Sequence, residues 1–388
     1  MKKFSLFLFI SSLCLVSIFS SCFELSYFFK SKKNNLYAFE NKVQATNSCK
    51  ENIFVYSDFF GKELKIDTKD LISISSQYNM TDNELLLKVV DMGFSKIQAL
   101  HFVFLNFEDF ISNLCYKLNV APVDAKLNCD INQTYLSEGK NGTEIDKEDL
   151  YEKLYNVFTT DNSKISVVNI LKKPSRTKSD LEKLTFRKGR FTTYINGVNQ
   201  EGRINNIAIA LKKFNNFELK SGQTFSFNQM IGETNEANGY LPAKIIVKGK
   251  FVDGLGGGVC QAATTLYNAC LLAGLDIVEA NPHSLKVGYV ASSFDAMVSP
   301  GISDLRIKNN TGDSVFFATE CTDTYVKVCV YGCQNEYEIE RRSQTIDFDQ
   351  EQYPDISYKS ESYLDYYKNG VKQFEKKLRS DTYKKVVV

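Results

Sequence analysis

Residues 254–270 read GLGGGVCQAATTLYNAC, and this stretch constrains the fold more than any other. Glycines 256 to 258 allow backbone conformations that a side chain would forbid, and they leave room for a substrate to approach closely. They lead into a helix read from Cys260 to about Ala273, which Gly274 is well placed to end. Cys260 therefore stands in a first turn, among unpaired N–H groups and at the positive end of the helix dipole. Both favour the thiolate, the form that attacks carbonyls. The competing reading is a small residue at a crowded helix–sheet contact. Cys270, among Leu266, Ala269 and Leu271, reads as core.

A cysteine nucleophile wants a base, most often histidine, and a third group to orient that base. The chain has two histidines. His101 lies within the apolar run IQALHFVFLNF and reads as a core histidine. His283, in NPHSLKVGYV, follows Pro282 in a loop after a strand, where catalytic groups concentrate. Candidates for the orienting group are Asp295, Asp304 and backbone carbonyls. Spacing does not choose among them, and Asp295 is carried forward. Ser284 and Tyr289 either bind substrate or complete the loop. With so few histidines and no zinc-like cysteine spacing, a metal site is not expected, and no cofactor is called for.

The N-terminus, MKKFSLFLFISSLCLVSIFSSC, has Lys2 and Lys3, then an apolar stretch, then small residues, the layout of a secretory signal. FSSC half-resembles a lipoprotein box that would lipidate Cys22. As a retained anchor, Phe4 to Phe23 is 20 residues without charge, enough to cross a hydrocarbon core of roughly 30 Å. Either way the chain is expected outside the cytoplasm, at the wall face of the membrane. There thiols can pair, Cys115 with Cys129 for example, although spacing does not fix connectivity. A net charge of +1 argues against a nucleic-acid binder. The segment 164–220 is locally basic, with Asp180, Glu182, Glu201 and Glu218 its only acids. It could meet an envelope polyanion or simply be solvated.

Along the chain, NIFVYSDFFG suggests strands, and Thr81 with Glu84 forms a capping box ahead of a helix. VAPVDAKLNCD reads as strand, KEDLYEKLYNVF as helix and KKPSRTKSDLEK as a linker. In GRINNIAIALKKF the residues Ile204, Ile207, Ala208, Leu211 and Phe214 share a helical face. QTFSFNQMIG and AKIIVKGKFVDG read as strands, the second turning at Lys248-Gly249. Three further strands are LRIKNN, DSVFFATE and TYVKVCVYG, and the tail holds a hairpin turned at Asn369-Gly370. The pattern is α+β, with mixed helix and strand before a β-rich domain that carries the key cysteine at a helix N-terminus.

The pieces SGQTFSFNQMIG, NGYLPAKIIVKGKFVDGLGGGVCQAATTLYNACLLAGL, NPHSLKVGYV, FDAMV and SDLRIKNNTGDSVFF resemble the VanW domain of exported Gram-positive proteins. APVDAKLN and IDKEDLYEKLYNV are similar to the peptidoglycan-binding domain that often precedes it. The resemblance implies an anchor or signal over 1–23, a peptidoglycan-binding domain over 24–183, a VanW domain over 191–333 and a C-terminal β extension over 334–388. It implies a cell-wall L,D-transpeptidase making 3-3 cross-links on peptidoglycan stem peptides. Cys260 would be the acyl-accepting nucleophile and His283 the general base. Gly257, Gly258, Gln261 and Thr264 would line the substrate or oxyanion site. Ala263 stands where the family commonly has Ser, and Leu285 where Arg is frequent. Two alternatives stay open, a cysteine carboxypeptidase or endopeptidase on the same stems and a non-catalytic wall-binding protein linked to glycopeptide resistance.

Overall fold

The computed structural model describes residues 46–47, 52–57, 62–69, 71–197, 200–247 and 250–385. The N-terminal segment with Cys22 and the turn at Lys248-Gly249 lie outside the described residues. The fold is α+β, 27% helical and 36% strand, with several small sheets. It divides into two compact units, residues 1–121 with 142–172, and residues 122–141 with 173–388. The boundary read at residue 183 thus falls inside the second unit.

In the first unit, strand Asn52–Ser57 pairs antiparallel with Lys62–Asp67 and parallel with Lys164–Val167. Helix Asp82–Asp91 starts at the expected capping box, Thr81 accepting from the Glu84 N–H and the Glu84 carboxylate from the Thr81 N–H. Helix Lys147–Thr159 buries Leu150, Leu154, Val157 and Phe158 against the same core. His101 is not the core residue expected. Its side chain is 40% exposed at 3.8 Å from Glu108, because it falls on the outer side of helix Lys96–Val103, whose buried positions are Ala99, Leu100 and Val103.

The second unit is built on the antiparallel sheet Phe186–Tyr194, Tyr325–Gly332, Val315–Cys321, Glu218–Leu219. Val315, Phe317, Val326, Val328 and Val330 face one core, while Phe316, Ala318, Cys329 and Tyr331 face another. Coverage on both faces explains why these strands read as unbroken apolar runs rather than alternating ones. The outer face is covered by Ala125, Leu127, Ile131, Leu181 and Leu184. The stretch read as a linker therefore includes a short helix, Lys178–Glu182, that buries Leu181.

The inner face receives helix Val259–Leu272, which we term the cysteine helix, and helix Glu201–Lys212. On the latter, Ile207 and Leu211 are buried as expected, as is Phe214 just past its end, but Ala208 faces out and Asn206 and Ala210 face in. QTFSFNQMIG is strand only to Ser226, whose hydroxyl caps a short helix, Phe227–Ile231. Gly274, at φ 75°, ends the cysteine helix, the N–H of Leu275 reaching back to the Cys270 carbonyl at 3.0 Å. All seven described cysteines beyond residue 50 are free thiols, so Cys115 and Cys129 form no disulfide.

Strand Phe186–Tyr194 crosses the cysteine helix at a bulge beside Gly189. A Cβ there would lie 2.6 Å from the Ala273 amide nitrogen. Gly189→Ala is therefore expected to lower unfolding free energy by about 1–3 kcal/mol, the usual result of overpacking. Denaturant titration of the two proteins checks it.

The C-terminal sheet consists of Glu338–Thr345, Ile356–Lys368 and Val371–Lys384. Its hairpin turns at Asn369 and Gly370, both at positive φ (53° and 74°), as the Asn-Gly pair predicts. Leu364, Ile339 and Leu378 join the core of the cysteine helix. The tail is thus an integral part of that core.

Candidate active site

Gly258 caps the cysteine helix at φ 107° without a side-chain bond, and no acidic residue sits in the first turn. The positive helix end facing Cys260 is therefore uncompensated. Of the first amides, that of Val259 reaches the Gly256 carbonyl (3.1 Å) and that of Gln261 the Gly258 carbonyl (2.8 Å). The N–H of Cys260 itself makes no hydrogen bond among the described residues.

The glycines do not leave the open space expected for substrate. A Cβ on Gly257 would lie 2.7 Å from the Ala243 carbonyl carbon, and one on Gly258 3.0 Å from the Arg203 carbonyl oxygen. They make room for this chain's own backbone. Gln261 also differs from expectation, since its side chain is buried and fully engaged. Its Nε2 donates to Thr193 Oγ1 and the Tyr194 carbonyl (both 3.0 Å), while its Oε1 accepts from Arg203. It braces the helix to the sheet and has no donor left for an oxyanion. Thr264 is buried too. Its Oγ1 accepts from the Ala296 N–H at 2.9 Å, which pins the loop carrying Asp295.

That loop brings the chemistry together. Asp295, 1% exposed, accepts from the backbone N–H of His283 (2.6 Å) and sits 2.7 Å from His283 Nδ1. His283 lies close enough to the half-buried Cys260 thiol for each to act on the other's ionisation, while the thiol itself donates to the Val298 carbonyl at 3.4 Å. The row is thiol, imidazole, carboxylate. Asp304, the other carboxylate candidate, is occupied elsewhere, binding Ser226 Oγ at 2.5 Å and the Asn228 N–H at 2.9 Å.

Electrostatics couple the three groups. Burial opposes ionisation of Cys260, but the hydrogen bond and charge of His283, helped by Arg203, hold the thiol below its usual value. Burial opposes charge on His283 as well, yet the bonds to Asp295 and Cys260 push it up to about 9. Asp295 stays below the ordinary carboxylate range despite its burial, because His283 and Arg379 both face it. These directions favour the thiolate–imidazolium form of the pair over the neutral one.

Sequence reading missed the groups that grip Asp295 from behind. Tyr383 donates to its Oδ1 at 2.8 Å and accepts from the Ser293 N–H at 2.7 Å. Arg379 lies 3.1 Å from the same Oδ1 and donates to the Asp295 carbonyl. Both come from strand Val371–Lys384, 84 and 88 residues further along the chain, and no local motif announces them. Asn268 donates to the Thr264 and Phe294 carbonyls and is itself held by Arg341, whose guanidinium packs 3.9 Å over Phe191 and 4.7 Å over Phe294.

Ser284 is exposed, and its carbonyl accepts from the Lys384 N–H at 2.8 Å, tying the His283 loop to the hairpin. Tyr289 lies beside Cys260 and Thr264, with burial and the neighbouring thiolate raising its pKa, so it keeps its proton.

Residues 202–331 match the family model described as VanW like protein. The chain is a VanW-domain protein. It is 36% identical over 208 residues to the uncharacterized protein YoaR of Bacillus subtilis (strain 168), covering 52% of this chain and 66% of YoaR. It is 30% identical over 117 residues to the vancomycin B-type resistance protein VanW of Enterococcus faecalis (strain ATCC 700802 / V583), covering 29% of this chain and 42% of that protein. The match thus spans just under two thirds of the first relative and under half of the second. No solved structure matches. The VanW-like residues include Arg203, Cys260, His283 and Asp295 but stop short of Arg379 and Tyr383.

Proposed function

We propose that this VanW-domain protein is a peptidoglycan L,D-transpeptidase working outside the cytoplasm, held at the membrane or secreted by its N-terminal segment. The row Cys260–His283–Asp295 carries the reading, since a thiolate beside a charged imidazole suits acyl transfer. The relative named for vancomycin resistance supports a place in the cell wall.

The Cys260 thiolate attacks the carbonyl that joins the third residue of a stem tetrapeptide to its terminal D-Ala. A C–S bond forms, the C–N bond breaks, and His283 gives its proton to the departing amine. The free Cys260 N–H and the Tyr289 hydroxyl are the donors proposed for the developing oxyanion. An amine of a second stem then attacks the thioester and loses a proton to His283. The new amide forms as the C–S bond breaks and the thiolate returns. Asp295 holds the imidazole with Nδ1 protonated throughout.

Full-length protein is incubated with disaccharide-tetrapeptide muropeptides, and products are followed by mass spectrometry. Wild type is expected to yield a dimer lacking one D-Ala, and Cys260→Ala to lose at least about a thousandfold of that activity. Tripeptide without dimer would instead make water the acceptor and the protein a carboxypeptidase. Untouched substrate with folded protein would leave a wall-binding role.

A further inference from the structure

Cys260, His283 and Asp295 leave one cation of the site without a counterpart. Arg203 emerges from the first turn of helix Glu201–Lys212, and its Nε and Nη2 both donate to Gln261 Oε1, at 3.1 and 2.7 Å. Gln261 is locked from its other end by Thr193 and Tyr194, so the guanidinium is held by a neutral amide that cannot move. The ring of Tyr289 lies 5.9 Å from it. Among the described residues no carboxylate pairs with Arg203, and the ionisable groups it faces are Tyr289 and Cys260. It also lines a cleft of about 320 Å³ with Gly202, Pro242, Ala243, Lys244 and Asp253. Asp253 is already taken by Lys244, at 2.9 Å.

We propose that Arg203 receives a carboxylate of the donor substrate, the free C-terminal carboxylate of the residue that leaves. The inference rests on the acyl-transfer reading given above. In a peptide that ends one residue past the bond under attack, the terminal carboxyl carbon lies three bonds from the attacked carbon, within roughly 4 Å. A cation near the thiolate therefore meets the carboxylate as the thiolate meets the carbonyl. A half-buried guanidinium, with its fork partly fixed in advance, favours that ligand over an amide. The donor stem would then need a free end, and stems already extended or amidated would be refused.

Two small alkylating agents test the anion site apart from the reaction. Iodoacetate and iodoacetamide differ at the carboxylate, and both report on Cys260 in the full-length protein. The iodoacetate-to-iodoacetamide rate ratio at Cys260 is expected to fall about tenfold in Arg203→Gln, the loss of one charge-assisted bond, and to be kept in Arg203→Lys. Wild type is likewise expected to use stems ending in D-Ala at least about tenfold better than those ending in D-alaninamide, and Arg203→Gln to lose that preference. A ratio unchanged in Arg203→Gln overturns the inference, whatever happens to the separate rates. An equal fall in Arg203→Lys would mean that Arg203 acts by positioning Gln261, and overturns it too. A ratio that falls as expected while no stem is turned over keeps the anion site and removes the transpeptidase. Stem turnover with an unchanged ratio does the reverse.

Discussion

Replacing Asp295 by Asn is expected to reduce kcat/KM for stem transfer by about a hundred- to ten-thousandfold, the range seen when an orienting carboxylate becomes an amide. The carboxylate takes two donors on each side, the His283 N–H and Nδ1 on Oδ2, and Tyr383 and Arg379 on Oδ1. An amide accepts at one end only. Turned either way it sets its NH₂ against two donors and leaves them unpaired in a buried place, costing about 1–3 kcal/mol. With its NH₂ toward His283, it also favours the wrong tautomer and removes the charge that raises the imidazole. The variant should therefore lose both turnover and several degrees of melting temperature. Steady-state kinetics on purified stems together with calorimetry measure the two effects. Activity within threefold of wild type would mean that His283 does not need Asp295.

The second large effect concerns the state of the thiol. Cys260 sits below its ordinary value and His283 above its own, at about 9. The reactive pair therefore exists between the two. Activity should rise as the thiol ionises and fall as pH passes about 9, where the imidazolium gives up its proton. Removing the imidazole by His283→Ala leaves burial unopposed except by Arg203 and the helix end. The thiol then moves back up toward an ordinary cysteine's value, and its thiolate fraction at pH 6 falls. Iodoacetamide alkylation at pH 6 is accordingly expected to slow by about tenfold or more. An unchanged rate would show that the helix end alone holds the thiolate. The stability sign differs between partners. His283, raised when folded, adds stability at pH below its unfolded value that is lost as pH climbs through about 9. Asp295, lowered when folded, adds stability that is lost as pH falls through its folded value.

Much of the site was legible in the chain because its signals are local. A glycine run before a small-residue helix, and a histidine in the next loop, lie within 27 positions of one another. The Thr81 box and the Asn369-Gly370 turn depend on neighbours too, which is why they appear where the sequence places them. Readings that depended on which way a helix faces fared less well. His101 shares an apolar run with Leu100 and Val103 but points outward, and Ala208 gives its buried place to Ala210. Gln261 looked available because a sequence does not show what its amide meets. The folded chain spends it on Thr193, Tyr194 and Arg203.

By itself, then, the sequence determined the α+β character, the cysteine helix and the loop histidine that the fold sets beside its thiol, all written in short-range patterns of glycine, capping and apolar spacing. Tertiary structure decided the rest. It chose Asp295 over Asp304, because one carboxylate is carried to His283 and the other is consumed by Ser226 and Asn228. It brought Arg379 and Tyr383 from the final strand to close around that carboxylate, and it left Arg203 beside the thiol without a carboxylate. A buried charge needs partners wherever the chain can supply them, and those partners are neighbours in space rather than in sequence.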